Sequence, residues 1–140
     1  MWKGISLIGI LFTAACGGYA STTPTPTEGL EATLSSIQEN IFTPTCATAG
    51  CHSATSAAGG LSLASGEAFG ELVGVESTEA TGVNRVTASD SADSYLINKL
   101  EGAQSDAGGS GVQMPKNASA LTTDQINTIK EWIDAGAENN

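Results

Sequence analysis

Basic residues are scarce in this 140-residue chain: five Lys and Arg stand against fifteen Asp and Glu, a net charge of −10. Such a surface repels polyanions, so nucleic-acid binding is set aside, and charge-driven contact with anionic lipid headgroups is disfavoured. Aromatic residues are also few, 5% of the chain against 40% hydrophobic residues overall. Gly, Ala, Ser and Thr are abundant instead, so side chains alone would build a thin core, and a large apolar cofactor would fill the deficit. No hydrophobic run reaches the roughly 18 residues that a membrane-spanning helix requires. Neither an alternating strand pattern nor an internal repeat is present, and the length allows one small domain.

What is present begins with Met1-Trp2-Lys3-Gly4, one positive charge ahead of the apolar stretch Ile5 to Phe12 and the small residues Thr13-Ala14-Ala15. That order is expected of an export signal over residues 1–15. Cys16 follows directly and resembles the cysteine of a bacterial lipobox, which is lipidated and becomes the mature N-terminus; Thr13 stands where that motif usually has Leu. Cleavage after Gly18-Tyr19-Ala20, leaving a soluble periplasmic protein, is the alternative. The expected location is the bacterial periplasm or cell envelope, with the membrane reached only through a lipid on Cys16. Without the signal, four basic residues remain against fifteen acidic ones, a net charge near −11. Residues 16–27 are rich in Gly, Ser, Thr and Pro, a tether composition that cannot bury a core. Residues 28–140 form the expected domain.

Within it, Thr25-Pro26-Thr27-Glu28 has capping-box spacing, and Leu30, Leu34, Ile37 and Ile41 follow at helical intervals. A first helix is predicted from about 26 to 42, stopped by Thr43-Pro44. A short helix is expected between Ser65 and Gly74, presenting Phe69, Leu72 and Val73. Another is expected to be capped by Asp90 or Ser91, with Tyr95, Leu96 and Leu100 on one face and Gly102 at its end. Thr122-Thr123-Asp124-Gln125 repeats the capping box, and Ile126, Ile129, Trp132 and Ile133 mark a final helix closing at Gly136. The fold class is all-α.

The centre of the sequence is Cys46-Ala47-Thr48-Ala49-Gly50-Cys51-His52. Covalent haem attachment needs two thiols for two vinyl groups, with a histidine next to the second thiol so that its imidazole reaches the iron. The common spacing is C-x-x-C-H; the two extra residues here can be looped out by Ala49-Gly50. Beyond the signal the chain has one histidine, His52, and one methionine, Met114. Two-histidine ligation within the chain is therefore impossible, and Met114, between a Gly-rich loop and Pro115, is expected as the sixth ligand. An ordinary loop methionine packed against something apolar is the competing reading.

In order along the chain, Ile41-Phe42-Thr43-Pro44-Thr45-Cys46, Cys51-His52, Gly59-Gly60-Leu61-Ser62-Leu63, Arg85-Val86, Asp90, Ser94-Tyr95-Leu96, Lys99-Leu100, Met114-Pro115, Leu121, Ile126 and Trp132 to Ala137 resemble the exported bacterial monohaem cytochrome c domains. The resemblance spans roughly residues 28–137. It implies a small cytochrome-c-like helical domain, with N- and C-terminal helices packed together and haem in a crevice between loops. Where that family often has Pro-Gly, this chain has Ala88-Ser89, so a different turn is expected there.

The expected function is electron transfer by one covalent haem c held by Cys46 and Cys51, with His52 and Met114 as axial ligands. Redox proteins of unnamed identity would serve as donor and acceptor, and the chain itself would not be an enzyme. Arg85 is a candidate partner for a haem propionate, or else an ion-pair residue. Tyr95 and Trp132 are expected to line the haem pocket or the helix contact beside it, core packing being the simpler description. Other functions stay open at this point. One is a haem subunit or peroxidase-like catalyst in which Met114 is displaced; another is a non-haem surface lipoprotein with a Cys46–Cys51 disulfide. A zinc site would need a fourth ligand and a wider Cys–His separation.

Overall fold

The computed structural model describes residues 29–140. The expected export signal with Cys16, the expected tether and the capping box expected at Thr25–Glu28 lie outside the described residues.

Helix α1 covers Leu34–Ile37 and continues directly into a wider, π-helical segment, Gln38–Cys46. This corrects the predicted helix at both ends. At its start, Thr33 is the cap, its hydroxyl accepting from the Ser36 amide at 3.3 Å. The last residue supplies the remaining acceptors: Asn140 Oδ1 takes the Leu34 amide at 2.9 Å and the Asn140 backbone oxygen takes the Ser35 amide at 2.8 Å. A helix needs partners for its first amides, and these arrive from the far end of the chain, which no local spacing announces. At the other end, Pro44 does not stop the winding. A proline lacks an amide hydrogen and its ring crowds the carbonyl four residues back, so the wider turn accommodates it, with the Ala47 amide reaching the Phe42 carbonyl five residues earlier at 2.7 Å. Cys46 is thereby carried on the end of a helix.

Helix α2, Ala68–Leu72, lies inside the expected segment and buries Ala68 and Leu72. Helix α3, Tyr95–Glu101, ends as expected at Gly102, whose φ of 77° suits glycine. Its N-cap position is Ser94 rather than Asp90 or Ser91. Asp90 instead accepts the Asp93 amide at 3.0 Å in the preceding turn, and the buried Ser94 hydroxyl accepts the Thr87 amide and donates to the Asp90 carbonyl. Helix α4, Thr123–Asp134, has the full capping box between Thr122 and Gln125.

Among the described residues there are helices and no strand; three isolated bridges, Val73 with Val86, Glu76 with Asn84 and Thr87 with Asp90, pin the connections. The chain is all-α over this span. One core joins Leu34, Ile37, Ile41 and Phe42 to Leu96, Ile97 and Leu100 of α3 and to Ile129, Trp132 and Ile133 of α4. Full burial of each large apolar side chain contributes roughly 1.5–3 kcal/mol, so this junction of first and last helices is the main source of stability. α4 packs on both α1 and α3. No described helix is long and apolar enough to cross a membrane.

Candidate functional site

Cys46 ends the π-helical segment, half-buried at the edge of the core, and Cys51 is exposed. Both are free thiols. Between them Thr48, Ala49 and Gly50 are exposed, Gly50 takes φ 79°, and the Gly50 amide is held by the Ser56 hydroxyl at 3.0 Å. The loop then closes on itself, the His52 amide donating to the Cys46 carbonyl at 3.1 Å. The two additional residues thus bulge outward while the ends of the segment stay hydrogen-bonded to each other. Burial, and secondarily the neighbouring Cys51, push the Cys46 thiol up to about 11, so it remains protonated at neutral pH.

His52 is half-buried, and its Nδ1 lies 3.1 Å from the Leu61 carbonyl oxygen. A carbonyl can only accept, so Nδ1 carries the proton in this contact, which selects the tautomer of the neutral ring whose lone pair is on Nε2. The backbone secures the same contact from below, the Leu63 amide donating to the His52 carbonyl at 2.7 Å and the Ala58 amide to the Cys51 carbonyl at 3.0 Å. Arg85 braces the acceptor loop from behind. Its guanidinium is buried and gives Nη2 to the Gly60 carbonyl at 2.9 Å, and Nη1 to the Glu71 carbonyl at 2.8 Å and the Glu71 carboxylate at 3.2 Å.

Met114 follows the Gly-rich loop, half-buried and packed against the main core. Its amide donates to the Lys99 carbonyl at 2.8 Å. With Val112, Gln113, Pro115 and residues 116–118 and 120 it lines a recess of about 300 Å³. Tyr95 points its hydroxyl at Glu79 and the Ser110 carbonyl, and the indole nitrogen of the buried Trp132 donates to the carbonyl of the exposed Glu138 at 2.8 Å. Cys46, Ala47, Leu61 and Met114 all border the same hydrophobic cluster, so the motif loop, the loop holding His52 and the methionine segment meet one core.

Among the participants without a role on sequence grounds are the Leu61 carbonyl, Lys99 and Glu79, the last two joined as an ion pair at 2.8 Å. Lys99 could have been found, since it stands four residues after Tyr95 on one helix and so shares its face. A backbone carbonyl has no sequence signature, and Glu79 reaches Lys99 only through the fold.

The donor set suits a haem: two thiols on either side of a closed loop, an imidazole with Nδ1 engaged by a backbone carbonyl, and one thioether at the core edge. Haem iron takes its remaining ligands from the porphyrin, so the site needs no wider ligand cluster; among the described residues no group of three or more His, Cys, Asp or Glu is placed to hold a metal ion. Comparison of the chain with protein-family models, with curated proteins and with solved structures found no match.

Proposed function

We propose that this chain is an exported electron carrier with a single haem c, on a small cytochrome-c-like fold whose crevice between loops holds the cofactor. The observation that carries this reading is the bond from His52 Nδ1 to the Leu61 carbonyl, next to a pair of free thiols. A metal-bound histidine typically gives its second nitrogen to a carbonyl or carboxylate, which fixes the tautomer and raises the basicity of the ligating nitrogen.

In this reading the Cys46 and Cys51 thiols would hold the haem covalently as two thioethers. His52 Nε2 and the Met114 sulfur would hold its iron. Once bound, the haem supplies a one-electron iron couple. The Met114 thioether would favour the ferrous state relative to a second imidazole and so raise the potential, and the surrounding core residues would raise it further by excluding water. With His52 and Met114 both engaged, the chain would leave oxygen or peroxide no place at the iron, which is the behaviour of a carrier rather than an enzyme.

The surface suits brief contacts with neutral or basic redox proteins. Of the four cations among the described residues, Arg85, Lys99 and Lys130 are paired with Glu71, Glu79 and Glu101. The acidic excess therefore dominates what a partner meets, favouring transient, electrostatically steered encounter. Lipidation at Cys16 would hold the domain at the membrane surface of the cell envelope. The test is the ferric optical spectrum of protein matured in a host competent for cytochrome c assembly. A Met-to-iron charge-transfer band is expected; a high-spin spectrum would remove Met114 from the iron.

A further inference from the structure

The loop that leads to Met114 is closed by its own turns, with the Asp106, Gly108 and Gly109 amides donating to the Ala103, Ser105 and Gln104 carbonyls and Gln104 Nε2 to the Gly111 carbonyl, but it has little apolar anchorage. Residues 102–111 include four glycines, and the nearest large apolar residue, Val112, is 48% exposed. Fixing such a chain costs roughly 1–2 kcal/mol per residue in backbone entropy, more for glycine, so a hold from outside the loop adds to what these turns supply.

It comes from a charged cluster seated against the loop. Lys99 is buried on α3, with Nζ 2.8 Å from Glu79 Oε2 and 3.3 Å from the Ser110 carbonyl. The Tyr95 hydroxyl, one helical turn earlier, lies 3.2 Å from the same Ser110 carbonyl and 3.3 Å from the same Glu79 oxygen. The loop backbone lies directly on these groups. A Cβ added to Gly109 would run into the Tyr95 ring, and one added to Gly111 would meet Lys99 Nζ at 3.0 Å and Glu79 Oε1 at 3.1 Å. Lys99 also acts at the other end of the segment, because its own carbonyl accepts the Met114 amide at 2.8 Å. One residue therefore grips both ends of the stretch from Ser110 to Met114.

We infer that Lys99, bridged by Glu79 and supported by Tyr95, is the positioning residue for Met114, a clasp that keeps the thioether in place as an axial ligand. This rests on the haem reading above. The alternative is a plain stabilising role, in which the cluster adds to the fold but leaves the methionine indifferent. The two differ in what loosening does: a clasp sets the fraction of time Met114 yields its place, and that fraction scales the apparent affinity of a competing ligand.

The experiment uses the full holoprotein and its Lys99→Met, Tyr95→Phe and Glu79→Gln variants, with imidazole as the probe of the ferric iron. Lys99→Met keeps the stem and the backbone carbonyl and removes the ammonium. It is expected to tighten apparent imidazole binding about tenfold, the scale of one lost charged hydrogen bond, and to weaken the Met-to-iron band while covalent haem and helix content persist. Amide hydrogen exchange at Met114 should speed up in the same order as the three variants raise imidazole affinity. Should Lys99→Met fail to fold, the milder Tyr95→Phe and Glu79→Gln decide on the same two readouts. The clasp is overturned if the parent protein shows the Met-to-iron band and the folded variants lose thermal stability without change in imidazole affinity or Met114 exchange. A parent protein without covalent haem overturns the haem reading, and the assignment of Met114 to the iron falls with it.

Discussion

His52 and Leu61 are joined by a 3.1 Å contact between the imidazole Nδ1 and a backbone carbonyl, so the orientation of the only histidine is set by main chain rather than by another side chain. Main-chain anchoring cannot be removed by a single side-chain truncation at position 61, which concentrates the test on the histidine. His52→Ala is expected to leave a chain that acquires little or no haem and lacks a low-spin ferric spectrum. Normal haem incorporation with unchanged ligation in that variant would show that the imidazole has no part in the site.

Met114→Ala should keep the covalent haem, since the thioethers involve only the cysteines. The potential should fall by on the order of 0.1 V, a fraction of the range of about 0.8 V over which axial ligands tune haem iron, and small ligands such as cyanide should bind the opened position. Voltammetry and ligand titration check this. An unchanged potential and spectrum would return Met114 to the role of an ordinary core-edge residue.

Arg85 is a structural brace for the His52 loop whatever else it does. Arg85→Met removes three hydrogen bonds and leaves the Gly60 carbonyl without its donor, so a loss of about 2–3 kcal/mol in urea unfolding is expected. Arg85→Lys should recover only part of this loss, because one ammonium does not reproduce a planar fork that spans Glu71 and Gly60. Full recovery by lysine would mean that charge alone matters there.

The thiol of Cys46 gives the attachment a signature in pH. In the folded chain with free thiols its pKa is raised from 9.0 to about 11, so between those values the unfolded chain loses a proton that the folded one keeps. Folding stability should therefore be intact below pH 9 and fall as pH rises toward 11, with a limiting slope of about 1.4 kcal/mol per pH unit from this group. A thioether does not titrate, so the contribution should vanish in the haem-bearing protein. Parallel denaturation series on the two forms check it; the same Cys46 contribution in both would mean that Cys46 is still a thiol.

Much of this was legible in the sequence where the signal is local. The α4 capping box at Thr122 and Gln125, the end of α3 at Gly102 and the outward bulge of Ala49-Gly50 follow from short-range chemistry, and the structure has each of them. What escaped the sequence is long-range. The start of α1 depends on Asn140, more than a hundred residues away, and the π-helical passage through Pro44 replaces the break that proline ordinarily makes. The turn at Ala88-Ser89 is instructive in the other direction. Ser89 adopts φ 65°, a conformation glycine enters freely, so the chain makes a left-handed turn there without the glycine that would signal it. Burial of Arg85 and the Glu79–Lys99 pair likewise required partners brought together by the fold.

The central claim is that the thiols of Cys46 and Cys51 are spent in binding a haem. The most direct test is the mass of the protein, denatured and expressed with haem-ligation machinery, before and after Cys46→Ala with Cys51→Ala. The account predicts coloured protein heavier than its polypeptide by one haem that survives denaturation, with the addition absent from the double variant. Colourless protein at the mass of the bare chain, or lighter by the two hydrogens of a Cys46–Cys51 disulfide, would contradict it.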